Sequence, residues 1–434
     1  MAEQVQDTAR GGGNRPALAL HVPEPRYRPG DAVDFSHVRV SRAGEQARPD
    51  ERCPASETHG LCTDLIRVLG EDDRAHGPWD PKLDADTLRT MLGHMALTRA
   101  FDERMFRGQR QGKTSFYMKC TGEEATSVSA AMALAGDDMV FPSYRQQGIL
   151  ISRGYPLVEM INQIYSNKGD ALKGRQLPIM YSSKAHSFFT ISGNLATQTP
   201  QAVGWAMASA SKGDSRIAAT WVGEGSTAEG DFHAACTFAA VYNAPVILNV
   251  VNNQWAISSF SGFAGGERAT FAARAIGYGL AGLRVDGNDA LAVYAAERWA
   301  ADRARANAGP TLIEFFSYRA EGHSTSDDPA GYRSAHEREE WPLGDPIARL
   351  RDHLIALGEW DEDRQAAMDR SCAETVRAAT KEAERNGILG HGLHQPFETM
   401  FEDVYETMPW HLAEQCAQSL REREVKFPEG LHGR

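Results

Sequence analysis

The run from Trp221 to Ser258 opens Trp221-Val222-Gly223-Glu224-Gly225 and reaches Pro245-Val246-Ile247-Leu248-Asn249-Val250-Val251-Asn252-Asn253 before Gln254 to Ser258. A short apolar run, Ile217 to Val222, stops at Gly-acid-Gly. Apolar residues then recur at helical spacing through Phe232, Cys236, Phe238 and Val241, and a second apolar run, Val246 to Val251, stops at Asn-Asn. The spacing predicts strand, loop, helix and strand, a parallel crossover unit. Two such strands end on the same edge of their sheet, so Glu224 and Asn253 are expected to face one crevice beyond the carboxyl ends. The glycines let backbone approach a ligand, and the following helix points its N-terminus at any phosphate there. A carboxylate and an amide oxygen are hard ligands suited to magnesium, which completes its octahedron with water and substrate phosphate. The expected ligand is a magnesium-bound diphosphate.

Outward from this unit the same grammar repeats. Toward the N-terminus, Leu88, Met91, Leu92, Met95, Phe101 and Met105 share one helical face beginning at Asp84. Glu123 to Ala135 reads as a helix, Val140-Phe141 as a short strand, Tyr155 to Tyr165 and Leu195 to Ala210 as helices. Between the last two lies a loop from Asn167 to Gly193, long enough for a functional role to be the usual reason. Gly204 and the alanines around it imply close packing against a neighbour. Toward the C-terminus, Leu283 to Val285 and Thr311 to Phe316 read as strands, with a helix from Ala290 to Ala306 between them. Five strands alternating with helices give an α/β fold with a doubly wound, mainly parallel sheet. Residues 1–75, rich in Gly, Pro and Arg, read as an extended N-terminal arm whose first twenty or so residues form a disordered tail. Residues 76–345 read as the α/β domain and 346–434 as a helical C-terminal region packed on it.

The chain has 434 residues, 42% of them hydrophobic, enough for a large core, and a net charge of −12 that argues against nucleic-acid binding. Its six cysteines form no CxxC pair, which suits a reduced compartment better than a disulfide scaffold or zinc site. No run approaches membrane-spanning length, and neither a signal peptide nor a transit peptide is evident, so the bacterial cytoplasm is the expected location. Gly108 to Thr114 imitates a phosphate-binding loop but has one residue too few between its glycines and follows a charged helix. Gly277 to Gly282 satisfies G-x-G-x-x-G, yet a strand follows it where a helix should open.

Gly223-Glu224-Gly225 with Asn252-Asn253 resembles the thiamine-diphosphate motif. The resemblance narrows on Ser115 to Met118, Gly122-Glu123-Glu124, Lys173 to Gln176, Leu195 to Gln198, Val285 to Asp289 and His323 to Asp328. Over roughly residues 75 to 410 the chain resembles the alpha subunits of branched-chain 2-oxoacid dehydrogenases, and with them the thiamine-diphosphate-binding fold. This implies oxidative decarboxylation of a branched-chain 2-oxo acid, with the acyl group passed to a lipoylated transacylase. It also implies a separate beta subunit in an alpha-two beta-two heterotetramer, and thiamine diphosphate, magnesium and potassium as cofactors.

The same resemblance assigns positions. Glu224, Asn253 and the backbone carbonyl of Trp255 match magnesium ligands, with Glu where the usual motif has Asp. Tyr144, Arg145, Gly193, Leu195, Gly223, Gly225, Ser226, Ile257 and His323 match the cofactor contacts. Arg145 would grip the diphosphate as a bidentate guanidinium, whereas a surface salt bridge is the ordinary reading of such an arginine. Val251 stands where some relatives carry a second arginine. His323 would touch the phosphate and assist acyl transfer, its ordinary pKa near 6.5 suiting both, and Tyr144 would share the catalytic pocket. Ser192, Asn194, Thr197 and Gln198 match a potassium site, although a helix N-cap accounts equally for Ser192 and Asn194. Phe116, Tyr117, Ser143 and Leu195 are the candidates for lining a pocket for an aliphatic side chain. Ser324 and Ser334 match serines phosphorylated in animal relatives. Pyruvate or acetoin dehydrogenase alpha subunits remain the alternative, and a nicotinamide oxidoreductase using Gly277 to Gly282 the alternative of another class.

Overall fold

The computed structural model describes residues 18–391 and 396–426, so the tail expected at the N-terminus lies mostly outside the described residues. Its strands are β1 (Leu65–Ile66), β2 (Met139–Phe141), β3 (Ala218–Gly223), β4 (Val246–Asn252), a two-residue hairpin of β5 (Trp255–Ala256) and β6 (Ser259–Phe260), β7 (Ala281–Asp286) and β8 (Thr311–Phe316). The helices are α1 (Ala85–Arg110), α2 (Glu124–Ala133), α3 (Gln147–Ser152), α4 (Leu157–Tyr165), α5 (Gln198–Ser211), α6 (Gly230–Val241), α7 (Arg274–Tyr278), α8 (Ala290–Arg305), α9 (Glu337–Glu340), α10 (Pro346–Ala356), α11 (Glu362–Glu384) and α12 (Trp410–Lys426). The main sheet runs β1-β7-β8-β4-β3-β2 with every pairing parallel. Chain order reverses at β4, which lies between β3 and β8, and this places the switch-point crevice at its carboxyl end.

The apolar run of β4 is continuous because helices cover both sheet faces. Successive residues alternate between two cores: Ile247 and Val251 enter the cluster containing α1, α2 and α8, while Val246, Leu248 and Val250 enter the one containing α5, α6 and α7. α11 packs on α1 and α4, so the C-terminal helices up to that point share the body of the domain.

Asn249 interrupts the apolar run, and its Nδ2 donates to Glu297 Oε1 of α8 at 3.2 Å. The remaining Asn249 Oδ1 and Glu297 Oε2 are buried without partners. One proton on the acid would serve both oxygens, and burial pushes the Glu297 carboxyl up to about 8. A carboxyl whose folded pKa is raised destabilises the fold as pH climbs from its unfolded value toward the folded one. Glu297→Gln should therefore leave stability nearly unchanged at pH 5 and raise it by roughly 2 to 4 kcal/mol near pH 8. Denaturant titrations at the two pH values check this, and an equal effect at both would contradict it.

Two expectations about the outer parts of the chain are corrected. The sheet has a sixth strand, β1, and residues 49–69 are no loose arm: Leu61, Cys62, Leu65, Ile66, Val68 and Leu69 are buried. Trp299 Nε1 donates to the Pro49 carbonyl and Arg303 to those of Glu51 and Cys53. The Val285 to Asp289 stretch supplies the matching latch. Asp289 caps α8 and also accepts from the amides of Val68 and Leu69 at 2.8 and 2.6 Å. Asp286 pairs with Arg67 and Arg349. The apolar residues of 49–69 follow neither strand nor helix periodicity for long, so the sequence pattern does not mark them as core. Among the described residues, no helix is long and apolar enough to cross a membrane.

Candidate functional site

Four loops leave the carboxyl edge of the sheet next to one another, following β2, β3, β4 and β8. They carry Ser143 to Arg145, Glu224, Asn253 and His323 respectively. A cavity at this edge is lined by Glu123, Tyr144, Arg145, Leu195, Gly223 and Asn253, with Ser143, Gln146, Ser192, Asn194, Ala196, Gln198, Ser226 and Val251 also contributing. Tyr144, Arg145, Leu195, Gly223, Ser226 and Asn253 therefore meet here, whereas Glu224 and His323 stand at the same sheet edge outside the cavity wall.

Glu224 begins a turn of 3-10 helix directly after β3 and is 1% exposed. Its Oε2 accepts a long hydrogen bond from the Asn253 amide at 3.4 Å, while its Oε1 is buried with no partner. Burial pushes its carboxyl up to about 7, and the nearby Glu123 adds to the shift. An orphaned, desolvated carboxylate oxygen, its partner oxygen held only by a long bond from the Asn253 backbone amide, is a costly arrangement that a bound cation would relieve. The Asn253 side chain donates through Nδ2 to Glu123 Oε1 at 2.8 Å and accepts from the Trp255 amide through Oδ1. Gly225 is required by packing: a Cβ there would stand 2.5 Å from the Ala256 Cβ of β5.

Arg145 is almost wholly buried. It donates to the Lys119 carbonyl at 2.5 Å and to His323 through both Nδ1 (2.9 Å) and the backbone carbonyl (2.6 Å). Its Nε lies 3.8 Å from Glu123 Oε1. Tyr144 meets the His323 ring edge-on at 5.8 Å. The surface salt bridge that ordinarily explains an arginine is thus excluded for Arg145. Because a guanidinium only donates, His323 Nδ1 must accept, and the proton of the neutral imidazole sits on Nε2.

The expectation of a titratable His323 is corrected. Burial, reinforced by the charges of Arg145 and Arg319, depresses its pKa to about 3. Between that value and its unfolded pKa the unfolded chain takes up a proton that the folded chain refuses, so acidification costs stability in that window. Nitrogen-15 NMR of His323 should report one neutral, Nε2-protonated tautomer from pH 5 to pH 8. A titration midpoint near 6.5 would contradict the assignment.

Other expected positions divide. Ser192 Oγ accepts from the Asn194 amide and Thr197 Oγ1 donates to the Asn194 carbonyl, so the oxygens matched to a potassium site are clustered. α5 begins at Gln198, later than the expected Leu195, and its cap residue Thr197 makes no side-chain cap. Ser192 and Asn194 are therefore not N-caps of that helix. Gln198 Nε2 donates to the Trp221 carbonyl at 2.7 Å. The Trp255 carbonyl accepts from Arg319 Nη1 at 2.8 Å, a partner not expected for a metal ligand. Ser143 donates through both its amide and its hydroxyl to Gln146 Oε1. Tyr117 is corrected as a pocket residue: it is fully buried, and its hydroxyl donates to Asp102 at 2.7 Å. Phe116 packs against the larger core, and neither residue lines the cavity. Gly193 and Ile257 are not part of the cavity wall. Ser324 Oγ accepts from Ser326, whereas Ser334 is buried and donates to the Asp31 carbonyl.

Glu123 and Arg319 complete the constellation; in the sequence Glu123 figures only as part of the Gly122-Glu123-Glu124 stretch, with no site role, and Arg319 is not marked. An acid just before a helix reads as a dipole partner, and nothing local marks it as facing Asn253. Arg319 follows β8 as Tyr144 follows β2, a signal that would have found it. The backbone adds one more sign: Ala196, Gln254 and Ile257 hold positive φ values of 63°, 75° and 56° in the loops around the cavity. Such strain in non-glycine residues concentrates at functional sites.

Comparison with known proteins shows the family. The sequence model of the family described as dehydrogenase E1 component matches residues 92–391. A second, described as 2-oxoisovalerate dehydrogenase E1 alpha subunit N terminal, matches residues 16–56. The chain is 58% identical over 398 residues to the 2-oxoisovalerate dehydrogenase subunit alpha of Pseudomonas aeruginosa, covering 92% of this chain and 97% of that one. It is 42% identical over 355 residues to the human mitochondrial subunit alpha, covering 81% of this chain and 78% of the relative. The first of two Arabidopsis thaliana alpha subunits is 39% identical over 373 residues, covering 84% and 77%.

Proposed function

From the premise that this chain belongs to the dehydrogenase E1 component family, as the alpha subunit of a branched-chain 2-oxoacid dehydrogenase, we propose that its carboxyl-edge cavity holds the diphosphate of thiamine diphosphate through magnesium. The observation that carries this reading is the buried, unpartnered Glu224 Oε1 beside Asn253. Both side chains offer hard oxygen, and the loop glycine at 223 leaves space over the cavity. Glu224 and Asn253 would be the side-chain ligands. The Trp255 carbonyl would be the third, sharing its lone pairs with Arg319.

When bound, thiamine diphosphate supplies the electron sink that lets a 2-oxo acid lose carbon dioxide. The chain's own residues bind, orient and donate. Arg145 already donates to Lys119 and His323, so it would offer a phosphate oxygen its remaining Nη1 hydrogen and not the bidentate grip expected from the sequence. His323 presents its Nε2 proton as a donor to phosphate or substrate oxygen, and Arg145 donating to Nδ1 holds the neutral ring in that tautomer. Tyr144 packs against His323 and narrows the cavity. Ser192, Asn194, Thr197 and Gln198 are the donor set for potassium, which would fix the loop carrying Leu195. Leu195, in the cavity wall, stands exposed, in keeping with a beta subunit that covers the cavity and brings the groups acting on the other half of the cofactor. We assign the working form as an alpha-two beta-two heterotetramer in the bacterial cytoplasm. It passes the acyl group to a lipoylated transacylase.

Calorimetry of the alpha–beta assembly with magnesium and thiamine diphosphate should give saturable binding that neither component gives alone. The substrate class is tested by turnover on 3-methyl-2-oxobutanoate against pyruvate, with the branched acid expected to be preferred by at least about tenfold in kcat/KM. Equal or inverted preference would move the chain to the pyruvate or acetoin enzymes.

A further inference from the structure

We propose that Glu123 is a positioning residue of this site: it fixes which end of the Asn253 carboxamide faces the cation and at the same time locates Arg145. The inference rests on the reading of the cavity given above. Its geometry begins one residue earlier. Gly122 has φ +94°, and a Cβ there would stand 2.3 Å from the Tyr318 carbonyl, so the backbone is pressed onto the chain leaving β8. That contact seats Glu123, 2% exposed, at the entry to α2 with its carboxylate against the loop after β4.

The two ends of a carboxamide are chemically opposite, and a hard cation takes only the oxygen. Asn253 can offer its oxygen only if something holds its amino group elsewhere. Glu123 Oε1 does so at 2.8 Å, and the Trp255 amide donating to Asn253 Oδ1 agrees with the same orientation. The same carboxylate oxygen lies 3.8 Å from Arg145 Nε, on the side of the guanidinium not taken by Lys119 and His323. One buried acid therefore orients a ligand and steadies the phosphate-binding cation. Groups that orient metal ligands typically carry 10- to 100-fold of the metal affinity.

The test is Mn2+ affinity of the alpha–beta assembly in saturating thiamine diphosphate, read from the electron paramagnetic resonance of free Mn2+. Glu123→Ala should bind Mn2+ at least about tenfold more weakly than the wild type. Glu123→Gln should stay within about threefold, because its carbonyl oxygen still accepts from the Asn253 amino group. Wild-type affinity in Glu123→Ala overturns the inference. So does an equal loss in both variants, which would assign the effect to charge alone. Should Glu123→Ala fail to fold, Asn253→Asp serves in its place. An aspartate needs no orientation and is repelled by Glu123, so adding Glu123→Gln to it should raise Mn2+ affinity, and no gain overturns the proposal. A wild-type assembly that binds no Mn2+ would instead contradict the reading of the cavity itself.

Discussion

Glu224→Ala should lower the decarboxylation rate of the alpha–beta assembly by at least about 100-fold, and saturating thiamine diphosphate should not restore it. Removing this side chain takes away the anionic ligand and leaves a void beside Asn253 that water would fill. Glu224→Asp, which restores the residue usual in the motif, should retain more activity than either Glu224→Ala or Glu224→Gln. The variants also separate function from stability. In the wild type a carboxylate is buried with one oxygen unpartnered, an arrangement that costs free energy unless a cation is present. Glu224→Gln replaces it with a neutral isostere, so the cofactor-free protein should melt higher than the wild type while activity falls. A protein that loses activity and stability together would point to general damage. One that keeps activity would remove the carboxylate from the mechanism.

The second large effect concerns the partner. This chain purified alone should show almost no decarboxylation of a branched-chain 2-oxo acid, whatever the cofactor concentration. The side chains brought to the carboxyl edge of the sheet, Glu224, Asn253, Arg145 and His323, suit a diphosphate and its metal. His323 is held neutral with its Nδ1 occupied by Arg145, which leaves it a donor and not a base. The exposed Leu195 in the cavity wall is apolar and brings no proton acceptor. Loss of general acid–base assistance alone removes roughly 10^2- to 10^4-fold, before the incomplete enclosure of the cofactor is considered. Turnover should return on titration with the beta subunit and saturate at equal stoichiometry. Full activity without it would refute the division of labour.

The parts of the site that follow directly from strand ends were legible in the sequence. Glu224, Asn253, Arg145 and His323 each stand just beyond an apolar run, and parallel strands deliver all such positions to one edge. Side-chain direction was not legible in the same way. Tyr117 lies in a stretch that resembles pocket-forming segments, yet Asp102 on α1 turns its hydroxyl inward. That acid sits on a helix face whose pattern says only that it is buried. Glu123, quoted in the Gly122-Glu123-Glu124 stretch, carries no legible role for the converse reason: its role depends on Asn253, 130 residues away along the chain, and no local spacing encodes the meeting. The basicity of His323 was misjudged because its composition gives an ordinary imidazole, whereas burial beside Arg145 and Arg319 decides the result. Residues 49–69 read as irregular because their order comes from Asp289, Trp299 and Arg303 and not from any periodicity of their own.

The most direct test is an anomalous-difference map of the alpha–beta assembly crystallised with Mn2+ and thiamine diphosphate. The predicted result is a single peak within ligand distance, about 2.0 to 2.4 Å, of Glu224 Oε1 and Asn253 Oδ1, bridged to the diphosphate beside Arg145. A peak elsewhere, or a diphosphate bound with no metal between these two side chains, would contradict the account.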